Sequence, residues 1–561
     1  GIAGLIKTLL AIEHQQIPAH LHFEVPNPHI PWDKLAVRIP QEATAWPAAD
    51  RRLAGVRDFG MSGTNAHVVV EGPPQTSRKS AARQTGREHT ASPADAQGPQ
   101  LLVVSGRNDQ AVAELADRFA RRLADDESLQ LVDVAYTLGV GRAHWPHRAA
   151  LAASDRQQAI DGLKALARGA TTDRLQVGSS KQMPKVAWQF TGQGAQYVGM
   201  GRGLYDAFAV FRDEIDHCDA LLRRWRGESL TEVLFEDGAS LDKTSLKQAA
   251  IFALQRAIVK LLESWGCVPA AVLGHSVGEY AAACTAGVMD WDDGLRLISE
   301  RGRLIGDLPA GGSMMAVFAP AQRVADAIEP MPELSLAALN GTHVVVSGPE
   351  AVVREAEQQF AEQSLRTKRL TTSHAFHSSL MNPALAPFRE VAEQIDYRQA
   401  AVPLISNVTG EVLPADRLLD GAYWTDHIRQ PVQYAAGVAA LEGIGVGVIL
   451  EVGPQAVLTR MAASVSSPGA LNLLSCLDRE ADDHESLLQA IGGLYVHGAT
   501  PDFDAFYAGQ QACRVVLPTY PFQRRRFWGP AKPRAAHAAF HTAHPLLGEK
   551  QSLAGPARER R

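Results

Sequence analysis

Val272-Leu273-Gly274-His275-Ser276-Val277-Gly278-Glu279-Tyr280 is the stretch from which the rest of the chain can be read. The apolar run over 270–273 predicts a short buried strand. Gly274-His275-Ser276-Val277-Gly278 then fits G-x-S-x-G, a sharp strand-to-helix turn that presents a serine hydroxyl to a cleft. Its two glycines let the backbone turn tightly and keep side chains off the serine. The helix that follows aims its N–H groups and positive dipole end at whatever reacts there. The same pattern fits a glycine-rich turn with a capping serine, and alone it does not choose between the two.

Composition narrows the field. A chain of 561 residues should hold several domains. A formal net charge of -6 does not point to nucleic acid. Five scattered cysteines (Cys218, Cys267, Cys284, Cys476, Cys513) form no C-x-x-C, which fits a reducing compartment and argues against zinc. No apolar run reaches the roughly 18 residues of a membrane span. The apolar start, 1–12, lacks a basic flank and a cleavage site, so it is not read as a signal peptide. A cytoplasmic protein without membrane or nucleic-acid partners is expected. The uncapped helical start reads as a chain cut from something longer.

Five stretches surround the central one. In residues 1–73, Leu5, Leu9 and Ile12 mark a helical stripe, and Phe59-Gly60-Met61-Ser62-Gly63-Thr64-Asn65-Ala66-His67 reads as a loop entering a strand at Val68–Val70. Asn65 and His67 are read as holding that loop together. Residues 74–99 have almost no large apolar side chains and read as a mobile linker. Residues 100–182 predict a small α/β unit: a strand over 101–105, a helix from about Asn108 carrying Leu115, Phe119 and Leu123, and a second strand over 148–153. Residues 475–528 predict a helix and an extended tail, and 529–561 are linker-like again.

The central domain, 183–474, opens with a strand over 186–190 and then Thr191-Gly192-Gln193-Gly194-Ala195-Gln196. Ile251, Leu254, Ile258, Leu261 and Trp265 recur at helical spacing over 244–265, and Gly266 ends that helix. A helix feeding the central strand predicts an α/β fold around a largely parallel sheet. Residues 314–372 read strand–helix–strand–strand–helix–strand, the order of a ferredoxin-like subdomain.

Several residues carry chemistry. Gln193, between two glycines after a strand, sits in a loop whose backbone N–H groups could bond an oxyanion; from the loop alone a plain turn is the better reading, and the elbow is what makes it a second donor. Arg301 falls within the apolar stripe of Leu295, Ile298, Leu304 and Ile305. A charge on an inner face needs a partner: an ion pair, or a substrate carboxylate held by the guanidinium fork. Ser373-His374-Ala375-Phe376-His377-Ser378 follows a strand and supplies histidines, the usual base for a serine nucleophile.

These residues, in this order, resemble the malonyl-CoA:acyl-carrier-protein acyltransferase family. The resemblance spans about 186–474. It rests on G-Q-G-x-Q at 192–196, G-H-S-V-G-E at 274–279, R-G-R-L at 301–304, H-A-F-H at 374–377, S-N-V-T-G at 406–410, W-x-x-H at 424–427, Q-P-V at 430–432 and E-V-G-P at 451–454. It implies Ser276 as nucleophile, His377 as base and Arg301 as the malonyl carboxylate site. It further implies an oxyanion hole from the backbones of Gln193 and Val277, and His275, His374 and Phe376 lining the substrate pocket. The main-chain carbonyl of His427 would orient the base. In this family H-A-F-H with a small residue after the serine goes with malonyl, and Y-A-S-H with glutamine there goes with methylmalonyl, so His374–His377 and Val277 both imply malonyl.

F-G-x-S-G-T-N-A-H resembles the C-terminal end of a β-ketoacyl synthase. In that family the catalytic cysteine and two histidines lie upstream of what corresponds to Gly1, so no ketosynthase activity is expected. Residues 100–182 resemble the linker domain between ketosynthase and acyltransferase. Tyr520-Pro521-Phe522-Gln523 and Arg526-Phe527-Trp528 resemble a post-acyltransferase linker, and His544-Pro545-Leu546-Leu547-Gly548 the start of a dehydratase. The whole layout is that of a modular type I polyketide synthase. It implies ping-pong transfer from malonyl-CoA to the phosphopantetheine of an acyl carrier protein. It also implies the ketosynthase and other synthase domains as partners, and no metal or tightly bound cofactor.

Two rival classes share some of these features. A serine hydrolase such as a thioesterase would add an acidic group between serine and histidine, where Asp290, Asp292, Asp293, Asp307 and Asp326 lie without an evident strand-end setting. A docking fragment fits residues 1–182 and 475–528 better than the middle of the chain.

Overall fold

The computed structural model describes residues 1–47, 51–61, 63–72 and 98–526. Residues 74–97 of the expected linker (74–99), the end of the aromatic tail at Phe527-Trp528 and the dehydratase-like start lie outside the described residues. Two compact units are present, 1–94 with 509–513 and 95–508 with 514–561.

In the first unit a helix, Ile2–Glu13, accompanies an antiparallel hairpin of Leu53–Phe59 and Asn65–Glu71. Of the expected stripe, Ile12 is buried while Leu9 stays exposed, because a two-stranded hairpin offers little to pack on. Asn65 and His67 sit in the second strand rather than in a loop. Arg57 Nε donates to His67 Nδ1 at 3.0 Å, so His67 works across the hairpin.

The second unit begins with a three-stranded antiparallel sheet, Gln100–Gly106, His147–Ala153 and Leu175–Ser179, with the middle one central. The third strand was not foreseen from sequence. Asn108 caps the helix Asp109–Asp125 by accepting from the Ala111 N–H, and Leu115, Phe119 and Leu123 point inward as their spacing predicts. The later helix Asp483–Val496 lies against the same sheet. Arg148 Nη1 donates to the Tyr495 carbonyl at 2.9 Å, and Gln176 Nε2 to that of Gln489 at 2.9 Å. The tail returns too: Arg142 Nη2 donates to the carbonyls of Leu517 (3.1 Å) and Pro518 (3.2 Å).

The central sheet is parallel throughout. Its order is Leu404–Ile405, Ala271–Gly274, Lys185–Phe190, Val446–Val452, Asn472–Ser475. Helices cover it, so its inner strands read as continuous apolar runs. The long helix Thr244–Ser264 is buried along most of its length, and Gly266 ends it at φ 70°. The ferredoxin-like subdomain runs Gly312–Val317, Ala321–Ile328, Ser335–Leu339, Val344–Pro349, Glu350–Glu362 and Thr367–Leu370, in the order predicted. Its antiparallel sheet has a separate core including Met315, Val317, Val344, Val346, Val353 and Phe360.

This topology decides where chemistry can occur. The strands ending at Phe190, Gly274, Ile405 and Val452 all run the same way, so the segments after them meet along one edge of the sheet. That is where open α/β sheets bind ligands.

Candidate active site

The elbow forms as its glycines require. A Cβ on Gly274 would lie 2.2 Å from the Glu279 nitrogen, and one on Gly278 would lie 2.1 Å from the Phe190 carbonyl oxygen. Ser276 itself takes a left-handed backbone at φ 51°, which a serine adopts only when its surroundings enforce it. Asn407 supplies that enforcement. Its Oδ1 accepts from the Ser276 N–H at 2.7 Å, and its Nδ2 donates to the Gly274 carbonyl at 2.8 Å. Asn407 is held in turn by Glu279, whose fully buried carboxylate accepts from the Asn407 N–H at 2.9 Å and from the Tyr423 hydroxyl.

Ser276 Oγ stands 2.9 Å from His377 Nε2. On the far side of the ring, Nδ1 lies 2.8 Å from the Gln430 carbonyl oxygen. A carbonyl can only accept, so Nδ1 carries the proton and Nε2 offers its lone pair to the serine hydroxyl. Burial, then the positive charge of Arg301, holds the His377 pKa well below the usual histidine range, and the bond to Gln430 opposes this only in part. His377 is therefore a neutral imidazole at neutral pH, the form a general base needs.

The carbonyl that orients the His377 ring belongs to Gln430, whereas His427 was expected to supply it. Helix Gly421–Arg429 still runs through His427, so its carbonyl points along the helix axis. Gln430 is the first extended residue after it (φ -76°, ψ 155°) and turns its carbonyl toward His377. The His427 ring instead brings Nε2 to 3.3 Å from Glu279 Oε2.

The loop that carries Gln193 packs against the elbow that carries Val277. The His275 N–H donates to the Phe190 carbonyl at 3.0 Å, and a Cβ on Gly192 would lie 2.7 Å from the His275 carbonyl oxygen. The Gly192-Gln193 loop thus runs hard against the elbow. Among the described residues neither the Gln193 nor the Val277 N–H meets an internal acceptor.

Arg301 projects from helix Trp291–Gly306 and is only 1% exposed. Its Nη1 donates to Gln248 Oε1 at 2.7 Å, and its Nε is buried without a hydrogen-bond partner. Among the described residues no carboxylate pairs with it. Burial pulls its pKa down, which is the cost of an uncompensated charge. His374 and Phe376 are both buried, with ring centroids 6.2 Å apart. His374 Nε2 lies 3.3 Å from the Leu308 carbonyl oxygen, beyond the end of the arginine helix, and its Nδ1 lies 3.0 Å from Ser373 Oγ. His275, half-buried, brings Nε2 to 3.0 Å from Asn340 Oδ1, which links the elbow to the small subdomain.

Comparison with known proteins agrees with this geometry. Residues 187–500, more than half of the chain, match the family described as acyl transferase domain. The chain belongs to the acyl transferase domain family. Residues 26–151 match a second family, the ketoacyl-synthetase C-terminal extension. Phenolphthiocerol synthesis polyketide synthase type I Pks15/1 of Mycobacterium marinum is 39% identical over 565 residues, covering 100% of this chain and 26% of that protein. The chain therefore spans about a quarter of that relative's length. The acyltransferase domain from the second module of the salinomycin polyketide synthase superposes with a TM-score of 0.63 at 39% identity, over 75% of this chain and 98% of that one. The acyltransferase domain of SpnD, in complex with 2-(pent-4-yn-1-yl)malonyl, gives 0.65 at 33% identity, over 73% and 98%. This is an acyltransferase domain of a type I polyketide synthase with its flanking segments.

Sequence reasoning about the acyltransferase quoted Asn407, Glu279 and Gln430 within motifs without giving them work, and it passed over Gln248. A signal for Gln248 existed. It lies three residues before Ile251, on the stripe that faces the core, where an amide must have a partner. Among the described residues no group of three His, Cys, Asp or Glu side chains could hold a metal ion, and no helix is long and apolar enough to cross a membrane. A cavity of about 560 Å³ lies apart from the acyltransferase residues, between the three-stranded sheet and the tail, lined by Arg107, Arg142, Trp145 and Tyr520 among others.

Proposed function

We propose that the acyltransferase moves a malonyl group from malonyl-CoA, through an ester on Ser276, to the phosphopantetheine thiol of an acyl carrier protein in the same synthase. One observation carries the substrate class. Arg301 is buried beside the Ser276–His377 pair, and among the described residues no carboxylate pairs with it. A buried guanidinium of this kind is completed by an anionic ligand, and the carboxylate of a malonyl group offers two parallel hydrogen bonds.

The contacts of Ser276 and His377 support the following steps. Ser276 Oγ attacks the thioester carbonyl as its proton passes to His377 Nε2, stabilised as it leaves by the fixed Nδ1–H bond to Gln430. The oxyanion takes the free N–H groups of Gln193 and Val277. The C–S bond breaks and the CoA thiolate regains the proton from His377. In the second half the phosphopantetheine thiol gives its proton to the same nitrogen and attacks the malonyl-serine ester, and Ser276 leaves with that proton.

The extender is malonyl itself. Phe376 is buried and packed on His374, on the loop that carries the base, where it can fill the space an α-methyl would need. The SpnD acyltransferase is named with a substituted malonyl, so the shared fold does not exclude substituents and side chains must do so.

A hydrolase would need an acidic partner for His377, and that place is taken by a backbone carbonyl. Of the five aspartates between serine and histidine, three are held in ion pairs elsewhere, Asp290 with Arg398, Asp292 with Arg256 and Asp307 with Arg303, and Asp326 accepts from Gln322 Nε2 at 2.8 Å. The intact mass after incubation with malonyl-CoA tests the proposal. One added malonyl group that persists in water and passes to a carrier protein is expected, whereas rapid hydrolysis without transfer would favour a thioesterase.

A further inference from the structure

The geometry points to Gln248 as the positioning residue that sets the distance between the carboxylate site and the oxyanion loop. This inference rests on the reading of Arg301 as a carboxylate clamp.

Gln248 lies on helix Thr244–Ser264 and is completely buried. Its Oε1 accepts from Arg301 Nη1 at 2.7 Å. Arginine can only donate, so the amide orientation is settled and Nε2 faces the other way. There it lies 3.4 Å from Gln193 Oε1, a long donation to the loop that runs against the elbow. Two helical turns further on, Gln255 is also fully buried, and its Nε2 donates to the Thr191 carbonyl at 2.9 Å. The two amides share one face of the helix. They hold the same loop at its start and at Gln193, and Gln248 extends the chain to the guanidinium.

The choice of an amide has a physical consequence. A glutamate here would form an ion pair with Arg301 and neutralise the charge a ligand carboxylate needs. An apolar residue would strand Nη1 in the protein interior. A neutral acceptor orients the guanidinium and leaves its charge uncompensated. The same side chain then fixes the spacing between the group that binds one end of a malonyl unit and the loop that faces its thioester carbonyl.

The test uses the full chain and compares acyl-enzyme formation from malonyl-CoA and acetyl-CoA in Gln248→Glu, Gln248→Leu and Arg301→Ala, with a thermal melt for each. Gln248→Glu should lower the malonyl-to-acetyl ratio by about tenfold or more, since the new carboxylate competes with the substrate's own. Gln248→Leu should raise KM for malonyl-CoA and lower the same ratio by about threefold or more. It provides the reading if the glutamate variant does not fold. If both acyl groups lose the same factor, or neither changes, Gln248 only packs the helix and the inference is overturned. Arg301→Ala separates the two claims. A collapsed ratio there beside an unchanged one in the Gln248 variants overturns Gln248 alone, while equal losses for both acyl groups in Arg301→Ala overturn the clamp, and the Gln248 inference with it.

Discussion

Ser276 and His377 face each other at 2.9 Å across the cleft, and both hold a left-handed backbone, at φ 51° and φ 58°. Neither is a glycine, so each position stores strain that packing around it must sustain. On the serine side Asn407 does this through bonds to Ser276 and Gly274. On the histidine side the Gln430 carbonyl fixes the ring.

Replacement of Ser276, the proposed nucleophile, separates chemistry from folding. Ser276→Ala should abolish the malonyl mass adduct and leave the melting temperature nearly unchanged, because alanine inherits the same strained φ. Ser276→Gly should abolish it too and be more stable than the alanine variant by about 1 kcal/mol or more, because glycine tolerates positive φ. An adduct surviving in either protein would remove Ser276 from its role.

His377→Ala should slow acylation by about 10²- to 10⁴-fold, the usual worth of a positioned base. His374→Ala should cost much less, since His374 bonds Ser373 and lies near the Leu308 carbonyl rather than Ser276. Stopped-flow acylation rates rank the two, and the reverse order would assign the base to His374.

Asn407→Ala should destabilise the protein by about 1–3 kcal/mol, because the Ser276 N–H and Gly274 carbonyl are left without partners. Denaturant unfolding measures this. Acylation should fall as well, since the elbow loses its brace. A variant as stable and as active as the parent would show that the elbow supports itself.

The pH dependence has a definite sign. The folded-state pKa of His377 lies below the usual histidine value, by burial first and Arg301 second, with His427 and His275 adding smaller pushes. Acylation should therefore stay flat above about pH 6.5 and decline only at more acidic pH, as His377 takes up its proton. Below that pH the unfolded chain protonates this histidine before the folded one does. Stability should fall from there down through the folded pKa and then level off. Arg301→Ala removes one of the downward pushes, so its acetyl acylation limb should move toward neutral pH. A limb that does not move would show that Arg301 exerts no field on the base.

With malonyl-CoA and methylmalonyl-CoA at equal concentration, malonyl should win by roughly 10- to 200-fold, the usual range for one carbon in a rigid pocket. Phe376→Ser should narrow the gap by opening space beside the α-carbon, and the added effect of changing His374 can be read in the double variant. Equal uptake by the parent protein would place selectivity outside Phe376 and Val277.

Sequence by itself determined the elements whose signal is local. Glycines at Gly274 and Gly278 specify the elbow, because any Cβ there meets backbone within 2.2 Å. The apolar period of helix Thr244–Ser264 and the alternating order of the small subdomain were legible for the same reason, since each depends on side chains close in the chain. Tertiary structure decided what depends on distant groups meeting. Which carbonyl orients His377 turned on a single change of ψ after Arg429, which moves the acceptor from His427 to Gln430. Asn407 reaches Ser276 across 131 residues, and Gln248 reaches Arg301 across 53. A hydrogen bond between residues so far apart leaves no periodic mark in the chain. It exists only because parallel strands end at the same edge and a buried helix passes beneath them, where most polar groups left inside find a partner.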